Sequence, residues 1–357
     1  MIRLPAAALL ASASALTLAA CGSPEPQSRT ETPPPASATS TAALTAEAVE
    51  AAQWQAPAPT AQPAPTNGQT PGSAPPPVQP RADLVRAQIL LDRARFSPGS
   101  IDGLDGENTR QAIAAFEKAN DLPVDGILDE QVFARLTQAA APAMTRYTIT
   151  AADVAGPFRP VPVTLEAQAE LDALNYASAF EGLAEKFHVS EGLLSALNPD
   201  ANFERVGQVI VVPAVSADPL PAPVTRIVID KTDSSLRAFG ADGALLAFYP
   251  ATIGSSARPA PSGRLTVVGV ANEPDYTYDP ERLSYGDATK KLVIAAGPNN
   301  PVGSVWIELS RDTYGIHGTP DPSKISKTAS NGCVRLTNWS AEQLAASVKP
   351  GVEVVFS

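Results

Sequence analysis

The chain has 357 residues, a formal net charge of -11, 36 prolines, and only two cysteines and two histidines. The acidic balance excludes a general nucleic-acid binder, which needs a basic face, and two cysteines exclude a disulfide framework. The length would allow two or three domains if all of it folded, but much of the proline crowds into the first eighty residues or so; the remainder keeps enough Val, Ile, Leu and Phe to build cores.

The chain opens "MIRLPAAALLASASALTLAACG". Arg3 supplies a short positive region, and Pro5 to Leu18 is apolar and small-residue-rich but too short to span a bilayer comfortably. Residues 1–20 therefore read as a signal peptide. "LAAC", ending at Cys21, resembles the lipobox of bacterial lipoproteins. The resemblance implies lipid on Cys21 and a membrane-held protein on the periplasmic face of the envelope. Gly22 gives no acidic retention signal, which favours the outer membrane of a Gram-negative bacterium by resemblance to the enterobacterial sorting rule. Residues 21–80 are dominated by Pro, Ala, Ser and Thr and are expected to be a disordered tether, unable to bury enough surface to offset their ordering entropy.

Residues 81–140 read as a small all-α domain of three helices. "DLVRAQILLDRARF" sets Leu84, Ala87, Leu90 and Leu91 at helical spacing. "SIDGLDGENTRQAIAAF" and "PVDGILDEQVFARL" then repeat one plan: an Asp-Gly turn, a polar cap, a helix. This pair of turns resembles the type 1 peptidoglycan-binding domain. Residues 145–215 read as a short strand at "RYTIT", two helices split near His188, and a closing strand at "GQVIVVPA". That order resembles a small α+β LysM module, a glycan-binding fold, with surplus sequence between Ala151 and Leu174. His188 has no clustered Cys or carboxylate and reads as a packing or surface residue rather than a ligand.

Residues 224–357 are strand-rich, with a hairpin signal at "ADG" and a late helix at "SAEQLAASV", for which Ser340 is the expected N-cap. A mainly-β domain, sandwich or closed sheet, follows. It lacks a Gly-rich phosphate loop, and one His with one Cys is too few for zinc, so no cofactor or metal is expected.

The rare residues converge in "YGIHGTPDPSKISKTASNGCVRLTN". A cysteine nucleophile needs a base, oxyanion donors and access. His317, ahead of Gly318 and Thr319 at a strand end, is the candidate base, and Cys333 the candidate nucleophile. Gly332 permits a tight turn whose amides could face an oxyanion; Arg335 would favour thiolate and attract a substrate carboxylate; Ser330 could orient the pair. "IHGT…SNGCVRL", with "PNNPVG" and "TIGSSARPAPSGRLTV" upstream, resembles the L,D-transpeptidase (YkuD-type) catalytic family over residues 224–357.

The resemblance implies a peptidoglycan substrate. Cys333 would attack the third residue of a tetrapeptide stem, release D-Ala, and pass the acyl group from a thioester to an amine, forming a 3-3 crosslink in the wall. It implies His317 as proton shuttle, amides near Gly332 and Cys333 as oxyanion hole, and donor contacts from Arg335. Asn331, Gly318 and Thr319 join Gly332 and Arg335 as expected oxyanion or substrate-binding positions. Many members have His where Asn331 stands, and Asn can donate hydrogen bonds but not act as a base, so a second-His role is absent. Many have an acidic residue where Ser340 stands. Water as acceptor would give a carboxypeptidase or hydrolase, and a protein lysine would give protein-to-wall attachment. A wall-binding lipoprotein without catalysis is the reading from a different class.

Overall fold

A computed structural model describes residues 44–56, 79–138, 140–255, 258–283, 286 and 288–357. The signal peptide, Cys21 and most of the expected tether lie outside the described residues.

One stretch of that tether is ordered, contrary to expectation. Thr45 caps a short helix, α1 (Ala46–Ala51), its hydroxyl accepting from the Ala48 amide at 3.1 Å. Val49 is fully buried, Trp54 Nε1 donates to Leu128 O at 2.7 Å, and Glu50 accepts from the Met144 amide at 2.6 Å. Composition averaged over sixty residues hides a single amphipathic turn followed by one large aromatic. That turn gains enough burial against a folded surface to offset its ordering.

Three helices follow as expected: α2 (Ala82–Arg93), α3 (Glu107–Ala119) and α4 (Glu130–Thr137). Leu90, Leu91, Ile113, Phe116, Val132 and Phe133 form their core. The repeated Asp-Gly turns are closed in parallel ways. Gln88 Oε1 accepts from the amides of Asp102 and Gly103, and Glu117 Oε2 from those of Asp125 and Gly126. Both glycines have positive φ, near 70°. Burial raises the Glu117 carboxyl despite those donors.

The middle region pairs β1 (Met144–Thr148) with β2 (Val209–Pro213), antiparallel. Between them lie α5 (Leu165–Gln168), α6 (Ala179–Lys186) and α7 (Glu191–Leu197). Ser178 and Ser190 cap the last two through their hydroxyls. His188 sits in the turn between them, buried, its ring stacked on Trp339 and its Nδ1 3.0 Å from Asp92 Oδ2. The surplus sequence has a job of its own. Val161, Leu165, Leu171 and Leu174 pack on a hairpin of the C-terminal domain, against Tyr278, Leu292 and Ile294.

That domain is mainly β, built from β3 (Arg226–Asp230), β4 (Ser235–Phe239), β5 (Leu245–Pro250), β6 (Thr252–Ile253), β7 (Gly263–Asn272), β8 (Tyr276–Tyr278), β9 (Leu292–Ile294), β10 (Val305–Leu309), β11 (Gly315–His317), β12 (Val334–Arg335), α8 (Asn338–Ala345) and β13 (Glu353–Phe356). The strand order is β5-β4-β3-β13-β7-β10-β11-β12-β6, with β8-β9 apart as a hairpin. Strand β7 serves both halves: residues 263–266 pair with β13 and 267–272 with β10. One core takes Ile227, Ile229 and Leu236 from the first half, Ile307, Ile316 and Val334 from the second, and Leu344 from α8. The N-cap of α8 is Thr337, not Ser340: Thr337 Oγ1 accepts from the Ser340 amide at 3.3 Å, and Ser340 is buried in the first turn. Thr337 stands three residues ahead of that amide, the spacing a cap needs.

The three folded parts interlock. Phe248 of β5 joins the helical core, exchanging backbone bonds with Arg95 and Ser97. Ile101 bridges to the middle region at Val189.

Candidate active site

His317 and Cys333 are sixteen residues apart, and the sheet brings them together. Strands β11 and β12 are parallel neighbours with His317 level with Arg335 and Ile316 level with Val334. Cys333, one step before β12, therefore lies beside Gly315, about 5 Å away across the pair. Both residues open on one cleft of about 710 Å³, also lined by Arg335, Trp306, Tyr276 and Arg258. Leu165, from the surplus sequence of the middle region, lines the same cleft.

The imidazole of His317 is held firmly. His317 is 4% exposed and stacks on Trp306, its partner across β10–β11, with centroids 5.6 Å apart. Gly315 leaves room for that indole: a Cβ there would lie 2.5 Å from Trp306 Cζ2. The His317 Nδ1 is 2.7 Å from Gly318 O. A carbonyl only accepts, so Nδ1 carries the proton and Nε2 keeps the lone pair. Burial, and then the Arg335 charge, push the imidazole down to about 3, with the Gly318 and Val302 carbonyls pulling the other way.

The thiol is also neutral at rest. Burial pushes Cys333 up from its ordinary value, against the pull of the Gly315 N–H and Arg335. Its Sγ donates weakly to Thr313 O at 3.6 Å. Arg335 favours the thiolate, as expected, but does not by itself set it. The arginine acts in that direction, but desolvation of the sulfur outweighs it. The arrangement is thus a neutral thiol facing the same cleft as a neutral imidazole whose Nε2 can accept a proton. Alkylation of Cys333 by iodoacetamide is accordingly expected to be slow at pH 5–8 and to climb about tenfold per pH unit until the raised thiol pKa is reached. An inflection between pH 4 and 6 would instead reveal a resting ion pair.

The other expected residues take supporting places. Ser330 is buried beneath the nucleophile's turn, its Oγ donating to Cys333 O at 2.5 Å and accepting from the Gly332 amide at 3.2 Å. It orients the backbone of the turn rather than the two side chains. Gly332 has φ of 112°, and a Cβ there would meet Tyr314 Cε1 at 2.9 Å. Its amide is engaged by Ser330, so the expected oxyanion role does not match its hydrogen bond. Gly318 and Thr319 likewise point into the fold. Their amides donate to Val305 O and to Asn338 Oδ1, and neither residue lines the cleft. Asn331 is exposed and accepts from Arg258 Nη1. The sequence reading missed Trp306, Arg258 and Asn338. Only Trp306 left a trace, as an aromatic in a strand that pairs with the "GIH" segment.

Comparison with known proteins places the chain in a family. The model of the L,D-transpeptidase catalytic domain (YkuD) matches residues 224–356, and that of the "Putative peptidoglycan binding domain" matches 80–136. The chain is 30% identical over 177 residues to "Putative L,D-transpeptidase YkuD" of Bacillus licheniformis, covering 49% of this chain and 90% of that protein. It is 32% identical over 140 residues to "Probable L,D-transpeptidase ErfK/SrfK" of Escherichia coli, covering 38% and 45%. Among solved structures, L,D-transpeptidase 3 from Mycobacterium tuberculosis matches at 15% identity and a TM-score of 0.32, over 43% of this chain and 74% of that one. With nine-tenths of the B. licheniformis protein covered and the catalytic-domain model matched around His317 and Cys333, this chain belongs to the L,D-transpeptidase family.

Proposed function

We propose that Cys333 is the nucleophile and His317 the general base of peptidoglycan crosslinking. The observation that carries the reading is their juxtaposition on two parallel strand ends at one cleft. Nε2 of His317 takes the thiol proton as Sγ attacks the carbonyl carbon of the third stem residue. The tetrahedral adduct collapses, the amide bond to D-Ala breaks, and the proton passes to the departing amine. A thioester remains on Cys333. The side-chain amine of a second stem then attacks it, restores the thiol, and leaves a 3-3 crosslink. Arg335, on the cleft wall beside His317, supplies the positive charge that attracts a stem carboxylate. Product analysis with a disaccharide-tetrapeptide tests this. A crosslinked dimer plus free D-Ala supports it; a tripeptide alone assigns water as acceptor, and no D-Ala release rejects the acyl-enzyme.

Around this chemistry stand two wall-directed parts and an anchor. The strand-helix-helix-strand order of the middle region supports a LysM-like module and a second glycan contact. The "LAAC" sequence supports a lipoprotein held to the periplasmic face of the outer membrane through Cys21. Cys21→Ala is expected to move the protein from the membrane fraction to the soluble one; a variant still wholly membrane-bound contradicts the anchor.

A further inference from the structure

The His317 ring depends on two backbone turns. Gly318 follows it and accepts from its Nδ1, while the Val302 carbonyl faces the ring from residues 302–304. Both turns hang on one buried amide, Asn338, at the start of α8. Its Oδ1 accepts from Thr319 N at 3.0 Å and from Ser304 N at 3.2 Å. A Cβ at Gly303 or Gly318 would lie 2.1 or 2.2 Å from that oxygen, so both backbones press directly on the amide. Asn338 Nδ2 donates to Pro298 O at 3.1 Å and to Glu185 Oε2 at 2.9 Å.

Glu185 belongs to another part of the molecule, helix α6 of the middle region. It is 6% exposed, and its Oε1 is buried. Tyr176 and Glu181 face it from its own region and Glu342 from α8. A second tie runs beside it: Asn299 Nδ2 donates to Glu181 Oε1 and to Asn175 O. A carboxyl buried among other acids is a poor stabiliser, because its desolvation offsets much of what its hydrogen bond to Asn338 contributes. What Glu185 supplies is direction: with Pro298 O it receives the Nδ2 end of the amide whose Oδ1 end takes the two backbone donors.

Taking His317 and Cys333 as the reacting pair, as proposed above, we propose that Glu185 is a positioning residue of the reaction. Acting through Asn338, it holds the two turns that aim the imidazole, so the middle region completes the active site as well as approaching the wall. Burial, reinforced by Glu181 and Glu342, pushes the carboxyl up to about 8. Near neutral pH it is chiefly the uncharged acid, which glutamine imitates while keeping an acceptor for Asn338.

The test measures D-Ala release from disaccharide-tetrapeptide by wild type, Glu185→Gln and Glu185→Leu, with thermal unfolding of each. The expectation is near-wild-type turnover for the Gln variant. The Leu variant should lose about tenfold in kcat with KM within roughly twofold, and with no lower unfolding temperature. Adding Glu185→Leu to Asn338→Ala should cost nothing further, since both break one relay. A Leu variant with wild-type kcat, equal losses in Gln and Leu, or a loss tracking thermal destabilisation would overturn the proposal. An inactive wild type would strike the reading of His317 and Cys333 instead.

Discussion

Cys333→Ser is expected to lower D-Ala release from a tetrapeptide stem by at least about 10³-fold, with the fold intact. The substitution is nearly isosteric, so packing is not at issue. The difficulty is proton transfer. A serine hydroxyl is far less acidic than a thiol, and this site offers a feeble base for it. His317 is held at about 3 by burial and by the charge of Arg335. An imidazole so depressed can assist a thiol, whose proton leaves as the S–C bond forms, but it cannot generate an alkoxide. The same depression implies that activity does not fall between pH 8 and pH 5 through protonation of His317. Initial rates across that range check both statements, and a serine variant with near-wild-type turnover would contradict the assignment.

Gly318→Ala is expected to destabilise the protein by roughly 3 kcal/mol and to abolish turnover. The added methyl would sit 2.2 Å from Asn338 Oδ1. That oxygen cannot retreat without giving up its bonds from Thr319 and Ser304, and the opposite end of the amide is held by Glu185 and Pro298. Gly192→Ala provides the contrast. Gly192 lies in α7 with open space where a Cβ would go, and gains about 0.5 kcal/mol from better helix propensity. Urea unfolding midpoints should therefore move in opposite directions for two chemically identical changes. A Gly318→Ala protein of wild-type stability would show that the Asn338 cluster is loose.

What the sequence revealed follows from what kind of signal each feature leaves. His317 and Cys333 were legible because both residue types are rare in this chain and stand in a glycine-rich stretch. The three helices and the Asp-Gly repeat were legible from local periodicity. Asn338 was not, because one asparagine after "CVRLT" carries no pattern, and its partner Glu185 lies 153 positions away. Burial is equally silent in sequence. The arginine two positions after Cys333 was visible, whereas the desolvation that outweighs it was not. The helix at Ala46–Ala51 was concealed by the opposite error, in which a proline-rich average masked Val49 and Trp54.

Because that segment docks on the folded body, the soluble protein for enzymology should begin at Gly22 rather than near residue 80. Intact mass of this form after incubation with disaccharide-tetrapeptide, beside its Cys333→Ala variant, shows whether Cys333 takes up the acyl group. Wild type is expected to carry an adduct equal to the substrate less D-Ala, and the variant none. Equal adducts on both proteins, or D-Ala release by the variant at the wild-type rate, would contradict Cys333 as the nucleophile.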